Sequence, residues 1–246
     1  MSKVKFPQAE FRLPRGRFVR GSTTTKTTTN HQNQPLPENK HHYWIAMAVE
    51  KNAPGIAEIV NGIVAHAWQS YQNVAGSQPV MQQIQMLLAA PAFAWKIDDG
   101  DMDAKWSQRE GCRGCYIFQM STTFNLNLFD AANAQLDPKA FQLGDYIDAY
   151  IGVAINGEVG NTAGIFINPL GIRWLGEGPR ITAGRDAASM FGAPAGPGYV
   201  APQAGPMSHQ VMGGASAPQP GMAGPAPGAM YTEPAEAVAA RYGVPH

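Results

Sequence analysis

Few side chains in this sequence have the types and spacing that chemistry needs. Cys112 and Cys115 in GCRGC hold the interval of a metal half-site. A lone C-x-x-C supplies two of the four ligands of a tetrahedral zinc, and the rest would have to come from His41 and His42 or similar. Redox pairs of this spacing open a helix in a βαβ setting, whereas the residues after Cys115 read as strand. The expectation is two reduced cysteines around a tight glycine turn. DDGDMD (Asp98, Asp99, Asp101, Asp103) looks like a calcium loop, and Glu110 falls twelfth from Asp99, yet the flanking helices of an EF-hand are missing. An acidic turn is expected there. Neither a G-x-x-x-x-G-K-[ST] nor a G-x-G-x-x-G phosphate cradle occurs, nor a nucleophile elbow. His66, on a helix beside apolar neighbours, reads as structural. The chain is read as non-enzymatic, with no cofactor and no metal.

What remains is aromatic. In GDYIDAYIGVAING, Ile147, Ala149, Ile151, Val153 and Ile155 share one face of a strand, and Tyr146, Asp148, Tyr150 and Gly152 share the other. Tyr116 and Phe118 alternate in the same way with Cys115 and Ile117. Arg113 precedes one of these strands, and Arg173 and Arg180 flank another, beside Trp174. Rings on a sheet with cations at the rim make a stacking platform for unpaired bases. Each stacked base contributes about 1–3 kcal/mol whatever its identity, because every base has a π-face. Gly152 is expected to let a sugar or base approach the backbone. The same face would serve equally as a second apolar layer, under the helices or at a subunit interface.

The elements that carry these residues follow from periodicity and charge. In residues 1–30, Lys3, Lys5, Arg12, Arg15, Arg17, Arg20 and Lys26 face only Glu10, a net of +6, while residues 31–192 carry −5. A basic segment on an acidic body points to a polyanionic partner. Pro14 and Gly16 interrupt FRLPRGRFVRG, so residues 1–30 are read as an arm, pairing with the body only from about Arg17. HHYWIAMAVEK reads as strand. PGIAEIVNGIVAHAWQSYQ reads as helix, because Ile56, Ile59, Val60, Ile63, Val64 and Ala67 recur at three- and four-residue steps. PVMQQIQMLLAA reads as a second helix, and the remainder to residue 192 as short strands between turn signals. Residues 193–246, rich in Gly, Pro and Ala, read as a disordered tail with a short helix from Thr232. The class is therefore mainly β with inserted helices, better suited to a small barrel than to a doubly wound sheet. Two cysteines in 246 residues suit a reducing compartment. No apolar run reaches the length of a membrane span, and the basic N-terminus lacks a signal peptide's apolar segment.

The arrangement DDGDMD…EGCRGCYIFQMSTT, then LGDYIDAYIGVAINGEVGNTAGIFINPLGIRWLGEGPRITAGRDAASMFG, resembles the single-stranded DNA-binding proteins of tailed bacteriophages. The resemblance spans roughly residues 40–192 and is most specific over the last fifty. It implies a five-stranded OB-fold barrel in residues 31–192 with a groove that tracks single-stranded DNA. It also implies protection of exposed strands in replication and recombination, in the cytoplasm of the infected bacterial host. Replication or recombination proteins would be engaged through the tail, and a homo-oligomer is compatible. The chain ends in EPAEAVAARYGVPH, nearly neutral, where many such proteins end in an acidic tip. Tyr116, Tyr146, Tyr150 and Trp174 are the expected stacking residues. Lys105, Arg113, Arg173 and Arg180, with Arg15, Arg17 and Arg20 of the arm, are expected to neutralise phosphates. The rival expectation is a viral structural or assembly protein that uses the aromatic face between subunits.

Overall fold

The computed structural model describes residues 6–30, 32–86 and 92–181. The tail, its tip helix, the GRDAASMF segment and the boundary after residue 192 lie outside the described residues. Within them, seven strands form one sheet: β1 (Ala9–Gly21), β2 (Tyr43–Glu50), β3 (Ile97–Asp99), β4 (Cys115–Thr122), β5 (Leu128–Phe129), β6 (Tyr146–Ile155) and β7 (Ile165–Gly176). Their order is β3-β4-β2-β1-β6-β7-β5, antiparallel throughout except for β5 against β7. The five long strands run β4-β2-β1-β6-β7, and β4 also packs against β7, so the sheet curls back on itself. This is the strand order of an OB-fold barrel, as expected, with β3 and β5 as short additions.

Both helices, α1 (Ile56–Tyr71) and α2 (Gln78–Gln85), fall between β2 and β3. α1 buries Ile56, Val60, Ile63, Ala67 and Tyr71 on one stripe against the main core. Its last residue ties it to the barrel. The Tyr71 hydroxyl lies 2.9 Å from Asn156 Oδ1 and accepts the Gly164 N–H at 3.1 Å, at the two ends of the β6–β7 loop. α2 is shorter than the helix expected from residue 79 to 90, and residues 87–91 are not among those described.

The segment expected as an arm contains the central strand of the sheet. β1 pairs with β6 from Ala9 to Arg17 and with β2 from Arg17 to Gly21. The residues that seemed to break it, Pro14 to Gly16, form a bulge between the Leu13 and Gly16 pairings. A side chain at Gly16 would collide with the Ala48 carbonyl oxygen, so a glycine is required where β1 crosses from one neighbour to the other.

The barrel interior holds Leu13, Phe18, Ile45, Met47, Phe118, Met120 and the inward residues of β6 and β7. A second, smaller cluster lies on the outer side of β2 and β4. There the segment between β3 and β4, residues 100–114, folds over the sheet and seats the fully buried Trp106 against Ala46, Ala48, Ile117, Cys112 and Cys115. Gly100 allows this, since a side chain on it would strike the Cys112 carbonyl. β4 is thus covered on both faces. β7 carries a bulge of its own. Tyr150 of β6 pairs with Gly171 and the next residue, Ile151, with Pro169, which leaves Leu170 over. The Leu170 carbonyl accepts the Asn127 side-chain amide at 3.0 Å.

Candidate nucleic-acid interface

The bulge in β1 opens a cleft of about 840 Å³, lined by Arg15, Gly16, Arg17, Lys51, Arg113 and Tyr146 among others. Arg15 reaches over the Tyr146 ring, its guanidinium carbon 4.0 Å from the centroid, which holds both planes at the cleft wall. Arg17 donates to two carbonyl oxygens, of Pro179 at 2.6 Å and Gly144 at 3.4 Å, so it is positioned without being neutralised. Lys51 is spent differently. It bridges Asp99 at 2.6 Å and Asp101 at 2.7 Å, and although burial pulls its ammonium down, those two carboxylates raise its pKa on balance. The acidic turn is accordingly a clamp, with Asp101 also accepting the Gly114 N–H at 2.9 Å.

Beyond the cleft, cations gather on Trp44, which projects from the outer face of β2. Arg20 lies 5.6 Å and Lys105 5.9 Å from its ring centroid. Lys105 and Arg109 also lie 4.5 Å and 5.6 Å from the Trp106 ring. The Arg20 pKa is lowered, by burial first and by Arg109 second. Burial also pulls Lys105 down; Asp98 opposes this, and Arg20 and Arg109 add to it. Among the described residues, none of Arg15, Arg17, Arg20, Lys105, Arg109 and Arg113 forms a salt bridge. Like charges held together with no salt bridge of their own favour an incoming anion.

A second groove, about 300 Å³, runs on the outer side of β6 and β7. Asp148 is nearly buried there between Arg173 (2.5 Å) and Arg12 (3.2 Å), which leaves one positive charge in excess. Tyr150 is 46% exposed beside it, and its hydroxyl donates to Glu10 at 2.5 Å. That hydrogen bond raises the pKa of the phenol.

The expected site residues therefore divide. Arg15, Arg17, Arg113 and Tyr146 share the cleft; Arg20 and Lys105 meet at Trp44; Tyr150 and Arg173 share the groove. Tyr116 and Trp174 do not stand on the open face, and both pack against the main core. In β4 the inward set is Tyr116, Phe118 and Met120, and the opposite set lies under Trp106. In β7 the bulge at Leu170 shifts the alternation, so Trp174 follows Ile172 inward and donates from its ring nitrogen to buried Asp145 at 3.1 Å. Arg180 is also committed to Asp145, at 3.0 Å. The space above Gly152 is taken by the Gln8 side chain, which corrects its expected role as a point of backbone approach. Trp44, Phe129, Arg12 and Arg109 were missed. The signal for Trp44 was present, since it alternates with Ala46 and Ala48, and small residues on a strand mark a face that something covers or visits.

Cys112 and Cys115 are free and buried in the outer cluster. Among the described residues no group of three or more His, Cys, Asp or Glu could hold a metal. Burial, then Glu50, pushes the Cys115 thiol up from 9.0 to about 11. A raised pKa means the folded state holds the proton more tightly, so this stabilisation is complete below pH 9 and is lost as pH rises towards 11. Thiol reagents should therefore leave the folded protein unlabelled at neutral pH, and Cys115→Ala should flatten the alkaline decline in denaturant midpoint. Parallel declines in the two proteins would refute this.

No protein-family model and no curated protein matches the sequence. Among solved structures, the chain is similar to the single-stranded DNA-binding protein from bacteriophage Enc34 in complex with ssDNA, with a TM-score of 0.53 and 15% identity over 70% of this chain and 88% of that one. A C-terminal truncation of the Enc34 protein gives 0.51 and 14% over the same shares. Against gp2.5, a single-stranded DNA-binding protein encoded by bacteriophage T7, the TM-score is 0.45 at 12% identity over 79% and 100%, too loose an overlap to build on. The resemblance to phage single-strand-binding proteins thus holds in the fold.

Proposed function

We propose that this chain is a non-catalytic single-stranded DNA-binding protein, broadly tolerant of sequence, that shields exposed strands during phage DNA replication and recombination. The observation that carries the proposal is the run of cations without carboxylate partners on the outer side of the sheet, interleaved with open rings. Tyr146 and Tyr150 are the stacking residues retained from the sequence, and Trp44 and Phe129 join them. Arg15, Arg17, Arg20, Lys105, Arg109 and Arg113 are the phosphate ligands, with Arg12 and Arg173 sharing one excess charge. The Enc34 protein of the same fold, described in complex with ssDNA, supports the reading. Tyr146 and Tyr150 lie four residues apart on one strand, about 13 Å at the usual rise, so successive rings can hold bases along one path.

Fluorescence titration with oligo(dT), with matched duplex as control, tests the proposal. Affinity for the single strand should fall with salt, with a log–log slope of about −0.7 per phosphate contacted. Tyr150→Ala should weaken binding by roughly 5- to 150-fold without unfolding the protein, the value of one stacked base. Binding that ignores salt, or a stable oligomer indifferent to single strands, would favour the assembly role instead.

A further inference from the structure

The geometry points to one more contact at the far end of the strand path, where Phe124 stacks a base and Lys26 holds a phosphate; this rests on the single-strand reading above. Neither residue lines the cleft or the groove, and neither belongs to the cations around Trp44. Phe124 follows β4 and, at 80%, is the most exposed large apolar side chain among the described residues. A single ring in water needs no explanation by itself. The backbone beneath this one, however, is held. The Thr122 hydroxyl oxygen accepts the Phe124 N–H at 3.2 Å, and Lys26 Nζ donates to the Thr123 carbonyl oxygen at 2.7 Å. Two residues further on, Leu126 packs against the main core. The ring therefore stands on a turn anchored on both sides.

Lys26 is fixed as well. Its neighbour Thr27 exchanges backbone hydrogen bonds with His42, at 2.7 and 3.3 Å, and the Lys26 ammonium lies 5.3 Å from the centroid of the Tyr43 ring. An ammonium has three donors, and the Thr123 carbonyl takes one of them without cancelling the charge. Among the described residues Lys26 forms no salt bridge. Continuity names the occupant. Ala48 lines the cleft, Trp44 carries Arg20 and Lys105, and Tyr43 pairs with Thr122, two residues before Phe124. These stations follow one another along β2, about 17 Å from Ala48 to Tyr43 at the usual rise. A strand that lies in the cleft and passes Trp44 meets Lys26 and Phe124 next. An unneutralised cation beside an open ring matches the phosphate and base of a further nucleotide.

The experiment is a titration with oligo(dT) of graded length, from roughly 4 to 16 nucleotides. On the longest oligonucleotides Phe124→Ala should bind roughly 5- to 150-fold more weakly than wild type, the value of one stacked base, and on the shortest the two should agree. Exposure of the ring means that the melting temperature should not change. Phe124→Trp should keep wild-type affinity at every length, and its added indole should be quenched by long oligonucleotides alone. Lys26→Gln keeps a donor for the Thr123 carbonyl and loses the charge, so the salt slope on long oligonucleotides should become shallower by about 0.7. Wild-type affinity of Phe124→Ala at all lengths, or an equal deficit at all lengths, would overturn the contact and leave single-strand binding standing. Wild-type protein that binds no oligonucleotide of any length would remove both proposals.

Discussion

Replacing Arg20 and Lys105 together by glutamine is expected to weaken oligo(dT) binding by about a hundredfold while the folded protein stays at least as stable as before. Each charge-assisted hydrogen bond to a phosphate is worth about 1.5–3 kcal/mol, so two of them account for that loss. The salt dependence should become shallower by about 1.4, twice the increment for one phosphate. Stability should not suffer, because the two side chains lack salt-bridge partners and are held near Arg109. Neutralising them breaks no salt bridge, and relief of the repulsion from Arg109 and of the burial cost outweighs the loss of the attraction between Lys105 and Asp98. Few substitutions separate binding from folding so cleanly. An affinity within threefold of wild type, or a large drop in melting temperature, would contradict the assignment of these two cations.

Trp106→Ala should cost about 3–5 kcal/mol in denaturant unfolding, the range for a large aromatic removed from a closed site. Trp106 has no exposed surface, fills the outer cluster and donates its ring N–H to Asp98. Burial raises the Asp98 pKa, and the Trp106 hydrogen bond works against that rise. Trp106→Phe would keep most of the packing and lose the donor, so Asp98 would be raised further. Its folded form then costs more once ionised, and the deficit against wild type should widen as pH rises through the carboxylate range. A deficit independent of pH would separate Trp106 from Asp98. Lys105 and Arg109 rest on this ring, so Trp106→Ala should also weaken strand binding.

Period-two patterns were legible where one face of a strand is apolar and the other open. β6 satisfies that condition, and its reading placed Tyr146 and Tyr150 correctly outside and Ile147 to Ile155 inside. β4 does not satisfy it. Cys115 and Ile117 are as apolar as Phe118 and Met120, and only the fold of residues 100–114 decides which set is interior. β1 was read as an arm because Pro14 and Gly16 look like breakers, and in the structure they make the bulge that lets one strand serve two neighbours. Charge was read by counting along the chain, which found the basic segment. Its pairing with carboxylates is a matter of space, and that alone separates Arg20, which remains unpaired, from Arg180, which does not. α1 was legible because a long amphipathic stripe needs no tertiary information.

The spare residue in β7 acts as a phase setter. Arg173 and Trp174 are sequence neighbours, and the extra step at Leu170 sends the charge outward and the indole inward. Were Leu170 to join a regular ladder with no residue left over, the two would be exchanged, the guanidinium thrust into the barrel and the indole into water. One residue left unpaired, rather than the residue types around it, thus decides which of two sequence neighbours faces outward.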